Sequence, residues 1–159
     1  IPGVTICIFE KGFFSKNDLT SYMDVHNHID KNSMFNTPPT FSIYVMLKVL
    51  EWIDENGGIK KIEQNNVLRA NKIYDFLDQN INTLTPLAPV EFRSNSNIVF
   101  DFKAENQTDL FLEKSFENNF IGLNGHRSVG GVRVSNYNSV TEEMVKDFLL
   151  LLDKFISSN

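Results

Sequence analysis

The chain has 159 residues, 42% of them hydrophobic and 22% charged, with a formal net charge of −5 and a single cysteine. That length can bury one sizeable core, or one domain and a piece of another. The acidic balance argues against a nucleic-acid surface, no apolar run reaches a membrane span, and no basic start leads into a secretory stretch. Cys7 has no partner for an intramolecular disulfide, so a reducing, cytoplasmic setting is expected.

Val4 to Phe9 is a short apolar run rich in β-branched residues and reads as a buried strand, with Cys7 a buried structural thiol. Glu10 to Asn32 is polar and mixed, and reads as loop with one helical turn at most. Pro38 and Pro39 suit the first turn of a helix that Thr37 would cap. Phe41, Ile43, Tyr44, Val45, Met46, Leu47, Val49, Leu50, Trp52 and Ile53 leave that helix little polar face. It must be packed on most sides, with Trp52 in a core, and Gly57-Gly58 ends it.

A second helix is predicted from about Ile59 to Gln79, with Ile62, Ala70, Ile73 and Leu77 at helical spacing and Lys60 and Lys61 on a solvated face. Thr83 to Val90, with two prolines, reads as a connection. Asn97–Phe102 reads as a strand, Thr108–Asn118 as a helix, Phe120–Leu123 as a short strand and Val132–Ser135 as another. Thr141 caps a last helix, with Val140 stapled to Val145 and a stripe of Phe148, Leu149, Leu152, Phe155 and Ile156. The fold class is α/β, and from about Lys60 onward an α+β unit with helices on a small sheet.

Two stretches carry chemistry. Asn124-Gly125-His126-Arg127-Ser128-Val129-Gly130-Gly131-Val132-Arg133 gathers one His and two Arg around glycines. Guanidiniums bind phosphate and carboxylate through paired hydrogen bonds, and the spacing of Arg127 and Arg133 would let each hold one end of a doubly anionic small molecule. The same pattern also fits a hairpin whose arginines lie in solvent. Asn36-Thr37 stands where a helix N-terminus would favour an anion, or where a plain cap would sit. Asp24, His26, His28 and Asp30 would share one face of an extended strand and could bind a metal. Val25, Asn27 and Ile29 do not form a matching buried face, and no further ligand cluster joins them, so no metal is assigned.

Ser33-Met34-Phe35-Asn36-Thr37-Pro38-Pro39-Thr40-Phe41, followed by Gly125-His126-Arg127-x-Val129-Gly130-Gly131-x-Arg133, resembles the phosphoserine aminotransferase family of pyridoxal-phosphate enzymes. The order and separation of the motifs fit, as do Glu55-Asn56-Gly57-Gly58 and Tyr137-Asn138. The resemblance covers nearly the whole chain but only the C-terminal part of such an enzyme. It implies that residues 1–60 are the tail of a large cofactor-binding domain and 61–159 a small α+β domain.

The resemblance further implies that Asn36 and Thr37 reach the cofactor phosphate of a partner subunit in a homodimer. His126 and Arg127 would bind the substrate phosphate or the side-chain carboxylate of glutamate, and Arg133 the substrate α-carboxylate. The substrates would be phosphoserine and 3-phosphohydroxypyruvate, with glutamate and 2-oxoglutarate. The Schiff-base lysine of the family would fall just before Ile1, so the expectation is a fragment without catalysis of its own. That reading leaves large side chains of the first long helix exposed, among them some of Phe41, Leu47, Leu50 and Trp52. The other class of function left open is a free-standing, non-catalytic module for anion binding or dimerisation.

Overall fold

The computed structural model describes residues 3–13 and 20–158, and among them the chain divides into two compact units, Ile1–Asn56 and Gly57–Asn159.

The first unit departs from several expectations. Residues 4–9 form no strand, and Ile6 and Ile8 are 62% and 94% exposed. A strand needs a neighbour for its N–H and C=O groups, and no described segment pairs with this one. Cys7 is correspondingly exposed rather than a buried thiol. Helix α1 (Val25–Asp30) occupies the stretch weighed above as an extended metal face. Asp24 caps it, accepting from the backbone N–H of His26 at 3.0 Å. Residues two apart in a helix point to opposing sides, so the four alternating side chains do not share one face.

Helix α2 (Thr40–Glu55) begins two residues later than a cap at Thr37 would have it. A residue preceding proline is pushed out of the helical region, which holds both Thr37 and Pro38 extended and lets the helix start only beyond Pro39. The N-cap is therefore Pro39, and no side chain caps the helix. None of its residues is buried: Phe41, Leu47, Leu50 and Trp52 are 78%, 48%, 54% and 40% exposed. Trp52 is thus not a core residue, whereas the exposure expected of a partial chain is found. The helix ends at Asn56, before Gly57.

The second unit holds the core. Helix α3 (Gly58–Gln79) leads into a four-stranded sheet of order β1-β2-β4-β3, antiparallel throughout. Its strands are β1 (Leu84–Pro86), β2 (Asn97–Phe102), β3 (Asn124–His126) and β4 (Gly130–Ser135). Helices α4 (Gln107–Glu117) and α5 (Glu142–Ser158) complete it.

Alternation along the central pair decides what is buried. Ile98, Phe100 and Phe102 on β2, and Val132 and Val134 on β4, face the helices. They meet Ala70, Ile73 and Leu77 of α3, Phe111 of α4, and Val145, Phe148 and Leu152 of α5. Phe111 is the hinge of an aromatic cluster, with ring centroids 5.4 Å from Phe102, 6.2 Å from Phe148 and 5.2 Å from Phe155. Thr141 caps α5 as expected, its hydroxyl accepting from the N–H of Met144 at 3.2 Å.

Two segments differ from their reading. Leu84–Pro86, inside the predicted connection, pairs with β2 as an edge strand. Proline is tolerated at an edge because no ladder donor is needed on its outer side. Phe120–Leu123 is not a strand: the Phe120 N–H turns back to the Ser115 carbonyl at 2.9 Å, and pairing starts at Asn124.

Outside the core, Arg93 grips Asp78 through two hydrogen bonds of 2.6 Å and lies over the Tyr74 ring at 4.6 Å. The hydrogen bonds from Arg93 hold the Asp78 carboxyl below its usual value. A depressed carboxylate stabilises the fold above its unfolded pKa, and that contribution fades as pH falls through the folded value. In acid unfolding, Asp78→Asn should therefore lose stability near neutral pH yet show a shallower decline below about pH 4 than the parent chain. Phe111→Ala should lower the unfolding free energy of this unit by about 3–5 kcal/mol in a denaturant titration.

Candidate anion-binding hairpin

The glycine-rich motif folds as the β3–β4 hairpin. Its loop, Arg127–Val129, is closed by the Val129 N–H donating to the His126 carbonyl at 2.9 Å. The glycines are required by proximity. A Cβ on Gly125 would stand 1.8 Å from the Gly130 carbonyl oxygen, and one on Gly131 2.6 Å from that of Phe100. Gly131 also holds φ at +74°, a conformation that side chains disfavour. The two strands can therefore lie closer at this point than side chains would allow.

Arg133 sits in the middle of β4, opposite Val99, and its N–H donates to the Leu123 carbonyl at 2.7 Å. Because Val132 and Val134 turn into the core, Arg133 faces the other side of the sheet. It is half-buried there, and its Nε is enclosed without a hydrogen-bond partner among the described residues. A buried donor left unpaired costs about 1–3 kcal/mol, so this fork is set for an acceptor the chain does not itself provide. Arg127 and His126 are exposed at the hairpin tip. His126 Nδ1 lies 2.8 Å from Ser128 Oγ and accepts the Ser128 backbone N–H at 3.3 Å.

The end of β4 is clamped by a polar network that the sequence reading missed. Arg69 of α3, only 7% exposed, donates from Nε to Asn136 Oδ1 at 2.9 Å and from Nη2 to Asn66 Oδ1 and to the Tyr137 carbonyl. Asn136, fully buried, donates from Nδ2 to the carbonyls of Asn66 at 2.9 Å and Asn95 at 2.8 Å. Burial pushes the Arg69 guanidinium below its usual value, with the Glu142 carboxylate opposing that shift. The available signal was Arg69 itself, which falls one residue before Ala70 and four before Ile73 on the buried stripe. The Tyr137-Asn138 pair belongs to the same corner. Tyr137 donates its hydroxyl to Asn97 Oδ1 at 3.2 Å, and Asn138 Oδ1 accepts from Asn66 Nδ2 at 2.9 Å.

Asn36 and Thr37 lie in the other unit, exposed, on the extended approach to α2. Neither side chain has a hydrogen-bond partner among the described residues, so an amide and a hydroxyl are available to a ligand there. Of the rival metal set, His26 Nδ1 is engaged by Asp24 Oδ1 at 2.9 Å and His28 Nε2 by the Tyr22 carbonyl at 2.9 Å.

The family described as aminotransferase class-V matches residues 15–148. The phosphoserine aminotransferase of Lysinibacillus sphaericus is 40% identical over 153 residues, covering 93% of this chain and 42% of its own length. The solved phosphoserine aminotransferase of Bacillus circulans subsp. alkalophilus matches with a TM-score of 0.84 at 37% identity, over 88% of this chain and 39% of that one. A second solved structure, pyridoxal-phosphate-bound phosphoserine aminotransferase from Trichomonas vaginalis, gives 0.78 at 30% identity, over 87% and 39%. These likenesses bear out the aminotransferase fold expected from the two motifs. The chain spans about two fifths of the length of these relatives.

The clamp at the end of β4 makes a sharp prediction. Asn136→Ala would strand the buried Arg69 Nε and remove the hydrogen bonds to the Asn66 and Asn95 carbonyls, and should cost about 1–3 kcal/mol in thermal or denaturant unfolding.

Proposed function

The chain belongs to the class-V aminotransferases, and on that basis we propose that it supplies the substrate-anion side of a phosphoserine aminotransferase. The intact enzyme would move an amino group between glutamate and 3-phosphohydroxypyruvate, yielding 2-oxoglutarate and phosphoserine. The observation that supports this most is Arg133, a half-buried guanidinium with an enclosed, unpaired Nε on the face of the sheet away from the core. Such a fork suits a planar carboxylate.

Each substrate has two anionic ends. Arg133 would take the α-carboxylate, fixing the plane of the amino acid and with it the direction of the Cα–H bond. His126 and Arg127, at the hairpin tip, would take the phosphate of phosphoserine or the distal carboxylate of glutamate. A Lys at position 133 would keep the charge but lose the planar fork. The cofactor, pyridoxal phosphate, supplies the electron sink for the carbanion at Cα when bound. Asn36 and Thr37, whose polar side chains are exposed and unengaged, fit its phosphate ester. We assign them to the cofactor phosphate of a partner subunit, which makes the working enzyme a homodimer. The same reading places the enzyme in the cytosol, where exposed Cys7 would stay reduced.

The rival reading, a non-catalytic anion-binding module, shares the hairpin but not the chemistry. The protein isolated from its source should aminate 3-phosphohydroxypyruvate with glutamate and show the absorbance of bound pyridoxal phosphate. A protein that binds phosphoserine but lacks both properties would leave only the module. Within the active enzyme, Arg133→Lys should lower kcat/KM for phosphoserine by about 10²-fold through lost orientation. An equal rate for the two enzymes would remove Arg133 from the site.

A further inference from the structure

The hairpin loop fixes more than position. Nδ1 of His126 faces two groups of Ser128: the backbone N–H at 3.3 Å and the side-chain Oγ at 2.8 Å. A backbone N–H can only donate, so Nδ1 must be the acceptor, and the Ser128 hydroxyl is free to donate to the same atom. In a neutral imidazole the proton then belongs on Nε2, because the hydrogen bond made by one ring nitrogen sets the state of the other. We infer that Ser128 is a positioning residue that locks His126 as the Nε2–H tautomer, leaving Nε2 as a donor for an anion beside Arg127.

This inference rests on the reading of His126 and Arg127 as the phosphate-side pair, and it specifies which ring nitrogen of the neutral histidine offers a hydrogen there. A phosphate presents acceptors only. A ring with its proton on Nδ1 would turn a lone pair toward that anion from Nε2, whereas the locked ring offers an N–H. The positive charge comes from Arg127, one residue along. Ser128 would thus touch neither substrate nor cofactor and would act through the imidazole alone.

The chain has its own internal contrast. His26 Nδ1 lies 2.9 Å from a carboxylate oxygen of Asp24, which can only accept, so that ring must hold its proton on Nδ1. His28 Nε2 lies 2.9 Å from the Tyr22 carbonyl and must hold its proton on Nε2. Long-range proton–nitrogen NMR correlation distinguishes these forms ring by ring, and His126→Gln identifies the signal in question.

The measurement uses the 159-residue chain at about pH 8, where imidazoles are largely neutral. The expected spectrum shows His26 in the Nδ1–H form and His126 in the Nε2–H form, the latter favoured by about tenfold or more. Ser128→Ala keeps the backbone donor but loses the hydroxyl, so its Nε2–H preference should fall by about threefold or more, and Ser128→Thr should restore it. Titration with inorganic phosphate should shift the His126 ring signals, and Ser128→Ala should weaken that binding about threefold. An Nδ1–H form of His126 in the parent chain, or an unchanged ratio in Ser128→Ala, overturns the lock. The expected tautomers without any response to phosphate would leave the lock standing and defeat the phosphate-side assignment instead.

Discussion

The antiparallel pairing of β2 with β4 is the constraint on which the second unit depends. Its register sets Val134 against Ile98 and Val132 against Phe100, and so delivers four apolar side chains to one face of the sheet. The same register sets Arg133 against Val99 on the other face. A slip of one residue would exchange the two faces, putting a guanidinium among phenylalanines and valines toward solvent. Burying an unpaired charge is among the most expensive errors a fold can make. The core therefore defines where Arg133 stands, and the chemistry assigned to it uses a position that packing has already fixed.

The register is pinned at both ends of β4 by different means. At its start, Gly125 has no side chain to meet the Gly130 carbonyl oxygen and Gly131 none to meet that of Phe100, so β3 and β2 approach β4 more closely there than side chains would permit. At its end, Asn136 is tied to α3 through Arg69 and to the chain before β2 through Asn95 and Ser96. Arg69 is buried with neutral oxygen partners only in its hydrogen bonds, an arrangement that depends on every one of them being made. Such a network adds specificity: a corner with several directional bonds tolerates one geometry, whereas an apolar corner of the same volume would tolerate several.

Much of this was legible because the physics that made it is local. The alternation of Asn97–Phe102, the stripe on α5, the cap at Thr141 and the glycines of the hairpin each follow from residue types at short spacing. Elements whose existence depends on a partner were read less well. Leu84–Pro86 is a strand only because β2 offers it an edge, and nothing in three residues ending in proline announces that. Val4–Phe9 is the converse, with the composition of a strand but no described neighbour to pair with. The start of α2 was misplaced by weighing proline's tolerance in a first helical turn above its effect on the residue before it. The candidate site divides along the same line. Its residue types stood out in the sequence, but the enclosed Nε of Arg133 shows only in the folded chain, and the Arg69–Asn136 clamp arises from contacts between segments about 70 positions apart.

Helix α2 shows the limit of composition from the other direction. A helix with apolar residues around most of its circumference states that it should be covered, and it states nothing about what covers it. Its side chains from Phe41 to Trp52 remain largely open to solvent in this chain. The second unit behaves differently, because α3, α4 and α5 each present one apolar stripe to a sheet of matching size. A stripe and a sheet face complete each other within one stretch of sequence, whereas an all-round apolar helix requires surfaces on several sides. The contrast explains why the core of residues 57–159 closes on itself while α2 does not. It also explains why the substrate-side hairpin can be argued from its own packing, while Asn36 and Thr37 are argued from the availability of their polar groups.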